Sequence, residues 1–487
     1  MHKLAKLDHL YVWHPFTQMR DWLREEPIVI VRGRGPFIYD VYGRKYLDGN
    51  SSIWTNLHGH NHPVINKAIM AQLKKIAHSS ALGLANEPAS LLAKELVRIA
   101  NSPIEKFRVH RKSTKPLCKV FYSDDGSTSI EVALKMAYEF ARRSGLNKQP
   151  RFLSLSQAYH GDTIGAVSLG HIPLFHAAFR GLTFRTDAVM SPYCYRCRFN
   201  RAKPERADAR LYRQCHWECV DEVERAFENA KKQGRPYSAF VLEPLIQGAA
   251  GMVPQPRGWL RKIAEITRHY SALLIADEVL TGFGRCGFPE EWFDCQPGQL
   301  KDYLLACHHE DVMPDLLCLA KGITGGYLPM AATLTTMEIF EAFLGEYSEF
   351  KTFFHGHSYT ANQLGAAAAL ANIALLDKKE SRHQRAKLQL ALQKELSRLW
   401  NNQHVGDIRQ VGLIAGVELV KDWHTRELFD LRDQVGFRVC RAMAKRGVLT
   451  RPIGDVIVIM PPYCTTADQV SHIIDALEES ITEVLSE

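Results

Sequence analysis

The chain lacks any stretch of about 18 or more consecutive apolar residues, so no membrane-spanning helix is expected. Nor is a secretion signal expected. The opening residues, MHKLAKLDHLYVWHPF, have no apolar core and no small-residue cleavage site, and a cytoplasmic protein is expected. Long basic tracts are missing too. The 61 Lys and Arg residues exceed the 53 Asp and Glu, for a net charge of +8, but they are dispersed. A nucleic-acid partner therefore has little support, whereas a mildly basic surface suits anionic metabolites. No internal repeat or low-complexity tract stands out.

Cysteine is infrequent and unevenly placed. There are eleven, an odd number, and most stand singly in apolar runs, as Cys318, Cys440 and Cys464 do. Those read as reduced core residues. One group differs: PYCYRC carries Cys194 and Cys197, and QCHWEC carries Cys215 and Cys219. A pair, a gap and another pair can make a four-thiolate zinc site. Against that, the second spacing is three residues rather than two, and the intervening loop is basic and irregular. The expectation is free thiols in a surface insertion and no resident metal.

What is present is an ordinary globular composition, with 46% hydrophobic and 23% charged residues. A length of 487 residues is too great for one core and implies two or three domains. The middle of the chain alternates short apolar strands with helical patterns. KVFYSD precedes TSIEVALKMAYEFARR, whose apolar residues fall at helical spacing. RFLSLS, SAFVLEP, ALLIADEV, DLLCLAKG and MAATLTT read as further strands, and WLRKIAEITRHY as a helix. This alternation predicts an α/β fold with a mostly parallel sheet covered on both faces. Ligands of such sheets bind beyond the carboxyl ends of the strands. FIYDVYGRKYLDG reads as a hairpin turning at Gly43. The last 120 or so residues show two long helical patterns with VGLIAGVELV between them and VIVIMPPY after them. A smaller α/β domain built from both chain ends is expected beside the large one.

Several residues at strand ends carry chemistry. In DDGSTSIEVALKMA, Gly126 and Ser127 lie between a strand and a helix, where free amides favour phosphate, although a serine there is often only a helix cap. LLIADEV ends in Asp277 and Glu278. A carboxylate at that point can keep a ring nitrogen protonated, or bind a metal, or cap a helix. Lys321 follows the apolar DLLCLA and precedes glycines at 322, 325 and 326. With a depressed pKa in the crevice, its amine can bond an aldehyde; elsewhere a lone lysine is a solvated surface group. Tyr159 and His160 of QAYHGD follow another strand, and the tyrosine ring can stack on a flat cofactor. A phosphate cradle, an acid for a pyridine nitrogen and an aldehyde-binding lysine together meet the needs of pyridoxal 5′-phosphate.

From WHPFTQM to VIVIMPPY the chain resembles the class III pyridoxal-phosphate aminotransferases. The motifs that carry the resemblance are YDVYGRKYLDG, NLHGHNHP, SDDGSTSIEVALKMA, AYHGDTIGAVSLG, LEPLIQGAAGM, LLIADEVLTGFGRCG, LAKGITGGYLPMAATLTT and FFHGHSYTANQLGAAAAL. WHPFTQM, SSIW, LGLAN and GVLTRPIGDVIVIMPPY are most similar to the branch that aminates 8-amino-7-oxononanoate on the way to biotin.

The resemblance implies a fold-type I homodimer with shared active sites and a seven-stranded large-domain sheet. Residues 1–64 and 356–487 would form the small domain. Residues 65–355 would form the large one, with the cysteine-bearing insertion at about 190–220. By position, Lys321 holds the cofactor aldehyde, Asp277 pairs with the ring nitrogen, Gly126 and Ser127 hold the phosphate, and Tyr159 stacks on the ring. His160 and Glu243 lie near the cofactor, and Ser358 reaches the phosphate of the other subunit. Phe16, Trp54, Gly356 and Arg451 join Tyr159 and Lys321 around the substrates, a small-molecule amino donor and a keto acceptor, with Arg451 on the substrate carboxylate.

Phe16 stands where many members have Tyr, Ile53 where many have the first of two tryptophans, and GHS where the phosphate motif reads GPT. These departures leave the amino donor as S-adenosylmethionine or lysine. The alternatives are another ω-aminotransferase, acting on a diamine, β-alanine or 4-aminobutyrate, and a catalytically silent binding protein.

Overall fold

The apolar runs of the middle of the chain assemble into one seven-stranded sheet. Across it the strands are Leu117–Ser123, Ala331–Thr336, Leu316–Leu319, Leu273–Asp277, Ala239–Leu242, Phe152–Leu155 and Asp187–Val189. Ala331–Thr336 is antiparallel to both neighbours, and the other adjacent pairs are parallel. The computed structural model describes residues 1–102, 115–289 and 303–486.

Every residue of strands Ala239–Leu242 and Leu316–Leu319 is buried, as expected for parallel strands with helices on both faces. One cover is the helix Gly126–Arg143, which packs on Leu316–Leu319 and Ala331–Thr336. Its buried residues Ile130, Ala133, Leu134, Ala137, Phe140 and Ala141 recur at helical spacing. Its start is set by Asp125, whose side chain accepts the Thr128 amide while the Thr128 hydroxyl returns to the Asp125 backbone. The cap is thus Asp125 and not Ser127, whose hydroxyl is engaged by Thr163 instead. On the other side of the sheet Trp259–His269 buries Trp259, Leu260, Ile263 and Ala264. Cutting one such leucine back to alanine costs about 2–5 kcal/mol.

The chain ends meet in a second layer. The hairpin Phe37–Asp40 and Lys45–Asp48, flanked by Ile30–Arg34, gains Val448–Leu449 as a parallel fourth strand. A further sheet joins Val405–Val411, Ile414–Leu419, Val456–Ile459 and Pro452–Ile453. The single strand read in VGLIAGVELV is therefore the second arm of a hairpin. Its turn needs Gly412, which has φ +59° and whose missing Cβ would lie 2.1 Å from the Cys286 carbonyl carbon.

Two long helices are expected in the last 120 residues, but the structure has four helices of eleven residues or more: Gln363–Leu376, Lys379–Arg398, Val435–Lys445 and Ala467–Leu485. The last two pack on each other and bracket the strand Val456–Ile459. Both have a well-marked apolar face; the faint patterns are those of Gln363–Leu376, apolar on nearly every side, and Lys379–Arg398, polar over most of its length.

One close approach ties the two layers at the sheet's carboxyl edge. Gly326 has φ +86°, and a Cβ there would sit 2.7 Å from Asn56 Cα and 2.8 Å from the Thr55 carbonyl carbon. Replacing Gly326 with alanine should push the Ser51–Asn56 segment outward and lower the thermal unfolding midpoint by a few degrees. Scanning calorimetry of wild type and Gly326→Ala checks this, and unchanged melting would refute it.

Candidate active site

Four adjacent strands of the sheet end at one crevice, and each delivers a candidate site residue at or just past its carboxyl end. Leu316–Leu319 leads to Lys321, Leu273–Asp277 ends in Asp277, Ala239–Leu242 leads to Glu243, and Phe152–Leu155 leads to Tyr159 and His160. Placement by parallel topology is the reason residues 159, 243, 277 and 321 meet although they are far apart in sequence.

Asp277 is buried, and its Oδ2 stands 2.7 Å from His160 Nδ1, while its Oδ1 accepts the Val279 amide at 3.0 Å. Burial disfavours a charged His160, but the hydrogen bond and charge of Asp277 outweigh it and raise the imidazole pKa. Glu278 goes elsewhere: its oxygens take the amides of Ala306 and Cys307 at 2.6 and 2.9 Å, so of the two carboxylates only Asp277 serves the crevice. Glu243 is buried, with Oε2 accepting the Gly248 amide at 2.8 Å, and burial pushes its carboxyl up to about 7. Lys321 is half-buried. Desolvation lowers its amine pKa against the opposing pull of Asp277 and Glu243.

The Lys321 Nζ lies 4.7 Å from the centre of the Trp54 ring, whose Nε1 is anchored on Asn50 Oδ1 at 2.8 Å. Lys321 has φ 41°, and Ser51, Ser52 and Trp54 have φ 48°, 63° and 64°. Four non-glycine residues in the left-handed region around one amine mark backbone strain held by its surroundings.

The candidate phosphate cradle is the start of Gly126–Arg143. Asp125 takes the Thr128 amide and, through its carbonyl, that of Ser129, leaving the Gly126 and Ser127 amides for an anion. The Ser127 hydroxyl is 2.7 Å from Thr163 Oγ1 and accepts the Thr163 amide at 3.0 Å. A Cβ at Gly126 would meet Val279 at 2.6 Å, and one at Gly161 would meet Ser127 Oγ at 2.3 Å, so both positions must be bare. Thr163 is within the quoted AYHGDTIGAVSLG motif, but only the fold shows its bond to Ser127.

Tyr159 donates to Asp162 Oδ2 at 2.6 Å, and its ring runs parallel to His176. Phe175 lies edge-on to both Tyr159 and Phe16. Arg451 Nη2 donates to the Phe16 carbonyl at 3.0 Å. Phe16, Arg451 and Tyr159 are thus brought to one wall. Phe175 and His176 are the members of that wall missed in the sequence, because their short helix Pro173–His176 shows no periodic signal. Gly356 and Ser358 stand apart. Both are exposed, the Ser358 carbonyl is held by His78 Nε2 at 3.0 Å, and among the described residues neither hydrogen-bonds to the crevice.

The crevice matches the chemistry of a phosphorylated pyridine aldehyde: an enclosed amine, a buried carboxylate, an amide-lined helix start and an aromatic ring. Two buried atoms in it, Glu243 Oε1 and His160 Nε2, have no hydrogen-bond partner among the described residues. This is the equipment of a fold-type I pyridoxal-phosphate transferase. The sequence profile of the family described as Aminotransferase class-III matches residues 19–481, and the chain belongs to that family.

The chain is 46% identical to the adenosylmethionine-8-amino-7-oxononanoate aminotransferase of Geobacter sulfurreducens over 99% of this chain and 98% of that one. The crystal structure of the Methanocaldococcus jannaschii enzyme of the same name superposes with a TM-score of 0.86 at 38% identity, covering 99% and 98% of the two chains. An amine transaminase from an uncultivated Pseudomonas species, with pyridoxal phosphate bound, superposes at 0.83 with 30% identity over 97% and 98%. The chain is an aminotransferase, and its cofactor is pyridoxal 5′-phosphate.

The raised Glu243 pKa makes a prediction for the cofactor-free protein. The carboxyl titrates near 4.5 when unfolded and at about 7 when folded. Its contribution to stability is fully present below the lower value and is lost as pH rises through the higher one. Glu243→Gln removes that loss. The melting temperature of the variant relative to wild type should therefore climb between about pH 4.5 and 7 and level off above, as read by thermal scans across pH. A pH-independent difference would refute it.

Proposed function

We propose that the protein transfers an amino group to the ketone of 8-amino-7-oxononanoate, giving 7,8-diaminononanoate for biotin formation. The reading is carried by full-length kinship to enzymes named for that acceptor. The amino donor we assign is S-adenosylmethionine, the donor in those names. Lysine is the second reading, favoured by the bare Phe16 ring against Phe175 in place of a tyrosine hydroxyl.

Lys321 would hold the cofactor by its aldehyde, Asp277 would face the ring nitrogen, the Gly126 and Ser127 amides the phosphate, and Tyr159 the ring. His160, bonded to Asp277, fixes that carboxylate in place. When bound, the cofactor supplies an electron sink that acidifies the C–H beside the donor's amine. Lys321 does the proton work. Desolvation lowers its pKa, so more of the amine is neutral near pH 7, and Nζ can take the proton from the donor's α-carbon. In the second half-reaction Nζ delivers a proton to C7 of the acceptor. Trp54 covers one side of the amine and limits water there. Arg451, placed by the Phe16 carbonyl, can pair through its remaining guanidinium N–H groups with the acceptor's carboxylate.

We also assign a homodimer in which the exposed loop bearing Gly356 and Ser358 completes the site of a second copy. Exposed Leu82, Leu84, Phe354 and Tyr359 support it. No described helix is long and apolar enough to cross a membrane.

Two experiments test the assignment. Borohydride reduction of the loaded protein followed by peptide mapping should place the cofactor on Lys321. Lys321→Ala should lose the adduct and at least about a hundredfold in rate. An adduct on another lysine would overturn the role. The loaded enzyme should also aminate 8-amino-7-oxononanoate with S-adenosylmethionine, and the gene should restore growth of a biotin auxotroph blocked at this step. Turnover only with lysine reassigns the donor, and no turnover of this ketone with either donor refutes the acceptor.

A further inference from the structure

The transamination site makes no use of the segment that carries Cys194, Cys197, Cys215 and Cys219. The structure brings all four to one cavity, of about 10 Å³, which is also lined by Arg213 and Trp217. That volume admits one water-sized guest and no organic ligand. None of the four is in a disulfide. Cys194 and Cys219 are buried and the other two half-buried, so the expected surface placement holds for neither pair as a whole.

Local structure explains the convergence. The Cys194–Arg196 turn and the loop bearing Cys215 are laced together: Asn200 Nδ2 donates to the Cys194 carbonyl at 2.9 Å, and the Gln214 amide to Asn200 Oδ1 at 2.9 Å. The Arg201 amide donates to the Gln214 carbonyl at 3.0 Å. Trp217, at φ 67°, then turns the chain into the helix Glu218–Lys232 and sets Cys219 in its first turn. Arg213 Nη1 reaches Cys215 Sγ at 3.0 Å, a charged donor suited to a thiolate. Among the described residues no three His, Cys, Asp or Glu side chains already stand in ligand geometry, so the sulfurs must rotate inward to converge.

We propose that this cavity is a structural zinc site with four thiolate ligands. Sulfur alone, without carboxylate or imidazole at the cavity, selects a soft tetrahedral cation over magnesium or calcium. Four protein ligands leave no open position, so the metal does no chemistry on substrate. The cavity is too small for an iron–sulfur cluster. Binding one Zn²⁺ forms four Zn–S bonds and releases the four thiol protons to solvent. The doubly negative centre that results lies beside the Arg213 guanidinium.

The gain is mechanical. The same segment grips the C-terminal sheet: Arg196 Nε donates to Glu418 at 2.7 Å, Arg206 to the Val405 and Asn402 carbonyls at 2.6 Å each, and Arg210 to the Gln410 carbonyl at 2.7 Å. Zinc would staple the base of that grip.

The test uses the full-length, cofactor-loaded protein, purified without chelator or added metal. Elemental analysis should find about one zinc per chain. Cobalt(II) exchanged into the site should give the intense visible bands of a tetrahedral thiolate complex. The double variant Cys197→Ser, Cys215→Ser alters the two half-exposed ligands. It should lose the zinc and the cobalt bands and melt several degrees lower, while retaining the cofactor absorbance and transamination rate. The proposal is overturned if the reduced wild-type protein holds no zinc and takes up none from zinc chloride. It is equally overturned if iron replaces zinc, or if the double variant keeps its metal.

Discussion

The structure is organised around the cost of keeping one amine out of water. Desolvation penalises the charge on Lys321, and the fold offsets this with two buried carboxylates, Asp277 and Glu243, held by neighbouring strands. The carboxylates have needs of their own. Asp277 takes His160 and a backbone amide, and Glu243 takes the Gly248 amide. Remove the sheet order and these groups scatter. A parallel sheet is the economical way to assemble residues far apart in sequence at one edge, because each strand end adds a residue to the same crevice.

That dependence explains what could be read from the chain alone. The apolar runs before Asp277 and Lys321 were strong signals, since strands covered on both faces leave little choice of residue. The polar residue that ends such a run lies at the sheet's edge almost by necessity. Gly126 was legible as a close approach to an anion, whereas the packing of Gly326 on Thr55 and Asn56 was not. Asp125, rather than Ser127, as the helix cap depended on a side-chain choice that both residues are able to make.

What stayed hidden was set by contacts between distant segments. Phe175 and Thr163 matter because the fold brings them against Phe16 and Ser127, and nothing local marks them. The C-terminal helices Gln363–Leu376 and Lys379–Arg398 carry little contrast between their faces, so their periodic signal is faint. The four cysteines were visible as a pattern, yet their irregular second spacing pointed to loose thiols. The lacing through Asn200 and Gln214 gathers them.

The wall that carries Arg451 and Phe16 has one property that follows from which atoms touch. The guanidinium grips the backbone oxygen at position 16 and ignores the side chain there. Exchanging the phenylalanine for another residue alters the shape that greets one substrate without loosening the hold on the arginine. Evolution can thus reshape the aromatic part of that wall while the arginine beside it keeps its anchor.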